Sequence, residues 1–129
     1  MQKTVKIQKN YALAFINLAN IHVDLREFNE AMSNYHKAIE INPKLVSAHN
    51  NLGLLYISGN GVPENKEQAA HWFLKAAEQG FEAAQYNLGL MYLKGNGVPA
   101  DDIEALHWFR MAAELGHASA QWGLGWMYA

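Results

Sequence analysis

The chain has 129 residues, half of them hydrophobic and 17% charged, which allows one folded domain with a modest core and lies outside the range of disordered chains. Its 10 basic and 12 acidic residues are scattered and sum to a formal charge of -2, so no basic stripe exists to neutralise phosphates or anionic lipid, and neither nucleic acid nor membrane is an expected partner. With no cysteine, a disulfide framework and every thiolate metal site are excluded; a cytoplasmic location is the expectation, with export or the periplasm as the alternative.

Taken in chain order, Lys3, Lys6 and Lys9 precede the mildly apolar stretch Tyr11 to Ala19, a faint echo of a signal peptide. Asn17 interrupts that stretch, and the same residues fit a repeat register better. Leu18 and Ala19 open a helix-turn-helix unit over 12–45, in which Phe28, Ala31, Tyr35, Ala38 and Pro43 follow at regular intervals. From Ala19 to its counterpart Gly53 is 34 residues.

From Ala48 the period changes to 36. Ala48 to Tyr56 superimposes on Ala84 to Tyr92, Gly59-Asn-Gly-Val-Pro63 on Gly95-Asn-Gly-Val-Pro99, and Ala69 to Phe73 on Ala105 to Phe109, with about half of all positions identical. The units run 48–83 and 84–119, and a third copy, 120–129, holds only a first helix. Leu52, Gly53 and Tyr56, like Leu88, Gly89 and Tyr92, lie at helical spacing, so each first helix carries a face of small and apolar residues that a neighbour can approach closely. The second helices follow the glycine-rich loop, with Ala69, Phe73, Ala76 and Ala77 on one face and Gly80 and Gly116 as C-terminal caps. The later units gain four residues in the intra-unit loop and lose two between units. A unit of this kind cannot bury its own face; stacking on its neighbours does so along one dimension.

These patterns carry two resemblances. Asn17-Leu-Ala19 through Ala38-Ile-Glu-Ile-Asn-Pro43 resembles a tetratricopeptide repeat, with His22 and Arg26 departing from the usual tyrosine and glycine. The units from Ala48 resemble Sel-1-like repeats in the leucine-glycine-x-x-tyrosine start, the glycine-x-glycine-valine loop, and the tryptophan-phenylalanine helix ending in alanine-alanine-glutamate. Together they cover nearly the whole chain. The resemblance implies an all-α, right-handed α-α superhelix of about seven helices forming one solenoid domain, 1–129, of a kind that mediates protein contacts, with the first helix of each unit lining the concave surface.

Chemistry has weaker claims. His71 and His107 share one repeat position, but corresponding residues on stacked units stand about 10 Å or more apart, too far for one zinc with bonds of about 2.0 Å, so no metal and no cofactor is expected. The glycine-rich loops lack the strand that a phosphate cradle follows, and their glycines supply positive φ in a tight loop. Some relatives of the second family are linked to β-lactam binding, but none of Ser33, Ser47, Ser58 and Ser119 has a lysine three residues on, and an enzyme is not expected. Asp101 and Asp102 follow Pro99, where they cap a helix start.

The concave face is the better candidate. Asn17, Asn51 and Asn87 occupy one repeat position, which becomes Gly123 in the last unit, and such a ladder offers donors and acceptors suited to a peptide backbone. Asn20 and Asn51 match the asparagines with which some tetratricopeptide relatives clamp a C-terminal carboxylate, but Ile16, Ala83 and Asn87 stand where the clamp needs basic residues. Tyr86, Leu90, Trp122 and Trp126 add an aromatic surface of the kind that anchors partners. The expected function is a protein-protein interaction scaffold holding a peptide segment or partner helix on this face. The alternatives are self-association through the open C-terminal helix and a hydrolase of the β-lactam-binding type.

Overall fold

The computed structural model describes the backbone of residues 2–60 and 63–128 and the side chains of residues 10–60 and 63–127. Gly61 and Val62 of the first glycine-rich loop, and the side chains of Lys3, Lys6, Lys9 and Tyr128, lie outside the described residues. Among the described residues seven helices follow one another: α1 (Gln2–Asp24), α2 (Phe28–Ile41), α3 (Val46–Ser58), α4 (Lys66–Glu78), α5 (Glu82–Lys94), α6 (Asp102–Glu114) and α7 (Ala118–Tyr128). They form an all-α solenoid in which α1 packs on α2, α3 on α4 and α5 on α6, while α4 meets α5 and α6 meets α7 across the unit boundaries. The α2 to α3 step, where the period changes from 34 to 36, is the sparsest of these junctions. Among the described residues no helix is long and apolar enough to cross a membrane.

Local signals set the helix ends. The Asn65 side chain accepts from the Gln68 amide, and the Asp101 carboxylate accepts from the amides of Ile103 and Glu104, so each second helix of the 36-residue units begins on a side-chain cap. The backbone amides of these two cap residues also reach back to the Tyr56 and Tyr92 carbonyls at 3.0 and 2.9 Å, which ties the far end of the long loop to the end of the first helix. Gly80 and Gly116, at φ 87 and 92, close α4 and α6 with paired bonds: Phe81 and Gly80 donate to the carbonyls of Ala76 and Ala77, and His117 and Gly116 to those of Ala112 and Ala113. The first helices α3 and α5 end on Gly59 and Gly95, at φ 72 and 69, whereas the turn after α1 is made by Arg26 at φ 62, a conformation that costs a non-glycine residue about 1–2 kcal/mol. Its guanidinium lies 5.5 Å from the Phe28 ring, a contact that offsets part of that cost.

Packing between elements depends on two neighbouring aromatic positions. Phe73 and Phe109 are fully buried, and each ring lies against the glycine of its own first helix, so that a Cβ at Gly53 would stand 2.7 Å from Phe73 and one at Gly89 2.8 Å from Phe109. The preceding residues point the other way. Trp72 packs on the cluster of Tyr35, Ala38, Ala48 and Leu52, and Trp108 joins the cluster of Phe73, Ala76, Ala77 and Leu88, so each indole covers the unit before its own. Adjacent residues of a helix differ by about 100° in direction, which lets one dipeptide serve both the inside of its unit and the boundary. In the first unit Ala19 and Tyr35 take the places of the glycine and phenylalanine, and both are buried.

Histidines reinforce this boundary. His49 is 2% exposed and stacks on Trp72 at 5.6 Å, with its Nδ1 3.5 Å from the Gln79 amide. Burial, with the charge of Lys75 adding to it, pushes its pKa below the ordinary histidine value. His71 and His107, the pair at one repeat position, are exposed and lie edge-on to Trp72 and Trp108 at 5.3 and 4.9 Å.

Candidate functional site

The candidate residues all belong to first helices, and the structure separates them into two regions. At the junction of the first two units, Tyr35 rises from α2 between α1 and α3. Its ring is buried, and its hydroxyl donates to Asn20 Oδ1 at 2.5 Å. The same oxygen accepts from Asn51 Nδ2 at 3.2 Å, which joins α1 to α3. Loss of solvation raises the Tyr35 pKa, and Asp24 adds to the effect against an opposing contribution from the Asn51 amide, so the hydroxyl is held as a neutral donor. Around this group lies a cleft of about 190 Å³, walled by Val23, Leu54 and Leu55, with Asp24 at its edge.

Equal repeat position does not give the hydrogen-bond partner. Asn17, which shares a repeat position with Asn51 and Asn87, is exposed and takes no part in this pair, and Asn51 bonds to Asn20 instead. Asn20 lies three residues beyond Asn17, close to one helical turn or about 4.5 Å along the axis, so this bond joins unequal repeat positions. Asn87 is half-buried on α5. Of the positions where a carboxylate clamp needs basic residues, Ile16 is buried in the core.

The second region is the aromatic end. Tyr86, expected to present its ring to a partner, is half-buried and engaged within the solenoid: it stacks on His117 at 4.7 Å and tilts against Phe109 at 5.7 Å, which ties α5 to α6 and to the connection that leads into α7. A ring beside a helix connection gains more from covering that connection than from remaining in solvent. Leu90 is half-buried, whereas Trp122 and Trp126 are 75% and 63% exposed on α7. Gly125 repeats the position of Gly53 and Gly89, but where those glycines meet a phenylalanine ring, the space above Gly125 is open.

Five residues of the cleft, Val23, Asp24, Tyr35, Leu54 and Leu55, were absent from the candidates named by sequence. A signal for Tyr35 existed in two aligned departures. Tyr35 adds a hydroxyl at the position of Phe73 and Phe109, and Asn20 replaces the leucine found at positions 54 and 90. Two polar substitutions in one unit, one of them at a core position, imply a hydrogen bond between them. Among the described residues no group of three histidine, aspartate or glutamate side chains is arranged to hold a metal ion.

Comparison with known proteins agrees with this geometry. Residues 46–81, 82–117 and 118–129 match the Sel1 repeat, and residues 19–58 match a TPR repeat. The matched Sel1 stretches begin where α3, α5 and α7 begin. A Sel1 repeat protein of Oxalobacter formigenes is 40% identical over 87% of this chain, with a TM-score of 0.80. A protective antigen of uropathogenic Escherichia coli that displays the same repeat fold is 36% identical over 99% of the chain, with a TM-score of 0.86. This chain spans 45% and 28% of those two structures. A photosystem I assembly protein of Prochlorococcus marinus is 37% identical over 65 residues, 48% of this chain and 38% of that protein. With the repeat profile matched over well over half its length, and with the glycine-phenylalanine and tryptophan contacts recurring at the repeat period, the chain belongs to the Sel1 repeat family.

Proposed function

We propose that the first-helix face of this solenoid binds an extended segment or a helix of a partner protein, and that the chain has no catalytic role. Repeat folds of this class mediate protein-protein interaction. The observation that carries the finer reading is the cleft between α1 and α3. Its two asparagines are held in place by a buried tyrosine, and the bonds that hold them use Asn20 Oδ1 and Asn51 Nδ2, which leaves Asn20 Nδ2 and Asn51 Oδ1 to face a ligand. One amide donor and one acceptor, on side chains joined by a hydrogen bond across two helices, suit the alternating groups of an extended backbone. Preorganisation lowers the ordering cost of binding. The assembly role named for the photosystem I relative is consistent with such binding.

A random 12-residue peptide library displayed on phage and panned against the chain tests this reading. The expected result is a set of binders whose affinity falls about tenfold in Asn51→Ala, with helicity unchanged by circular dichroism. Failure to obtain binders, or binders indifferent to Asn51→Ala, would refute the reading.

A second reading is favoured by Gly125. The space over its backbone is open where Phe73 and Phe109 cover Gly53 and Gly89, and Trp122 and Trp126 beside it are exposed, so an aromatic side chain of a second copy is the occupant this reading assigns to it. Light scattering over a wide concentration range is the test: a rise in mass that Trp126→Ala abolishes supports self-association, and a constant monomer mass removes it.

A further inference from the structure

The charges of the first helices are unevenly placed. From Asn10 to Asp24, α1 carries one formal charge, Asp24, and α3 carries none. Asp24 stands at the edge of the cleft that holds Asn20, Tyr35 and Asn51. Three other lining residues, Val23, Leu54 and Leu55, are aliphatic, and Leu54 is 44% exposed although it borders the cleft. The space is sufficient for about six water molecules at liquid density, the room of one long side chain. An aliphatic wall, two amides and a single carboxylate at the rim together fit a side chain with an apolar stem and a cationic end.

We infer that the α1/α3 cleft is a specificity pocket for a lysine or arginine side chain of the bound segment, whose stem lies on Val23, Leu54 and Leu55 and whose charged end meets Asp24 and the free Asn51 Oδ1. This rests on the peptide-binding reading above and adds the chemistry of one residue of the ligand. The repeat also gives the groove a direction. Asp24, Ser58 and Lys94 occupy the same repeat position at the ends of successive first helices, so the position is negative in the first unit, neutral in the second and positive in the third. At a unit spacing of about 10 Å, a basic residue is attracted at one end of the groove and repelled roughly 20 Å away. A segment with one basic residue is thereby held in one orientation, and like charges placed at the wrong end supply the discrimination.

The peptides selected on the wild-type chain provide the test, read by sequencing and by fluorescence-anisotropy titration of individual binders. The expected result is enrichment of lysine or arginine at one position, a loss of affinity of about 5- to 10-fold when that residue is replaced by norleucine or when Asp24 is replaced in Asp24→Asn, and weakening with added salt. Panning Asp24→Lys is expected to shift the selection toward aspartate or glutamate at that position. Asp24 is exposed at the end of α1, so these variants leave the core intact. Binders that require Asn51 yet show no basic preference, or that tolerate Asp24→Asn and norleucine unchanged, overturn the pocket and leave the peptide groove standing. The absence of any binder overturns both.

Discussion

Replacing Phe73 with alanine is expected to cost about 3–5 kcal/mol, the range for deleting a buried aromatic ring from a core that cannot collapse around the space. The ring is fully buried, and one side of it is the backbone of α3 at Gly53, which cannot move inward without losing the packing of the whole helix. Total stability in a domain of this size is about 5–15 kcal/mol, so a large fraction is lost. The effect extends past the second unit, because the cluster that includes Phe73 also receives Trp108 from the third. The converse change, Gly53→Ala, is expected to cost about 1–3 kcal/mol through overpacking, since the added Cβ would lie 2.7–2.8 Å from two carbons of the ring. Urea unfolding followed by circular dichroism measures both. Adding Phe73→Leu to Gly53→Ala is expected to cost less than the two single changes together, because the two residues share one contact. Additive losses would show that the close approach of ring and glycine does not determine the packing of this unit.

Gly97→Ala is expected to destabilise by about 2–5 kcal/mol, the sum of a left-handed backbone imposed on a residue with a side chain and a backbone displacement. Gly97 sits at φ 75, and a Cβ there would overlap the Lys66 carbonyl at the start of α4. The neighbour here is main chain in a helix that begins on the Asn65 cap, so no rotamer change relieves the overlap. Gly116→Ala is the control: the φ is again positive, 92, but nothing lies within 4 Å of the added atom, so only the conformational cost of about 1–2 kcal/mol remains. A Gly97→Ala loss no larger than that of Gly116→Ala would show that the loop does not press on α4. The comparison separates the two reasons a repeat loop needs glycine, and it assigns the third unit's loop a role in holding the second unit's second helix.

Much of the fold was legible because the repeat states its own rules more than once. The 36-residue self-match located the paired helices, the caps at Gly80, Gly116 and Asp101, and the loop glycines at positions 59, 95 and 97. Each of these depends on residues close in sequence, where side-chain chemistry and backbone geometry decide locally. The departure of Arg26 from glycine was visible in the same way, and the structure places it in the left-handed region that the repeat otherwise gives to glycine.

The candidate site was less legible. Repeat equivalence placed Asn17, Asn51 and Asn87 in one ladder, while the bond between α1 and α3 runs from Asn51 to Asn20 and Asn17 is exposed. Tyr86 carried the same composition signal as Trp122, but His117 lies within stacking distance of one ring, whereas the other is 75% exposed.

By itself, then, the sequence determined that this chain is a helical solenoid, how many helices it has, where most of them are capped and which residues are small enough for close approach, because those properties follow from periodicity and short-range chemistry. Which side chains meet across the units was decided only by the tertiary structure. The bond from Asn51 falls three residues, about 4.5 Å along a helix, from the equal repeat position, and the cleft lined by Asn20, Tyr35, Asn51 and Asp24 is assembled from three helices by contacts that no periodic position marks.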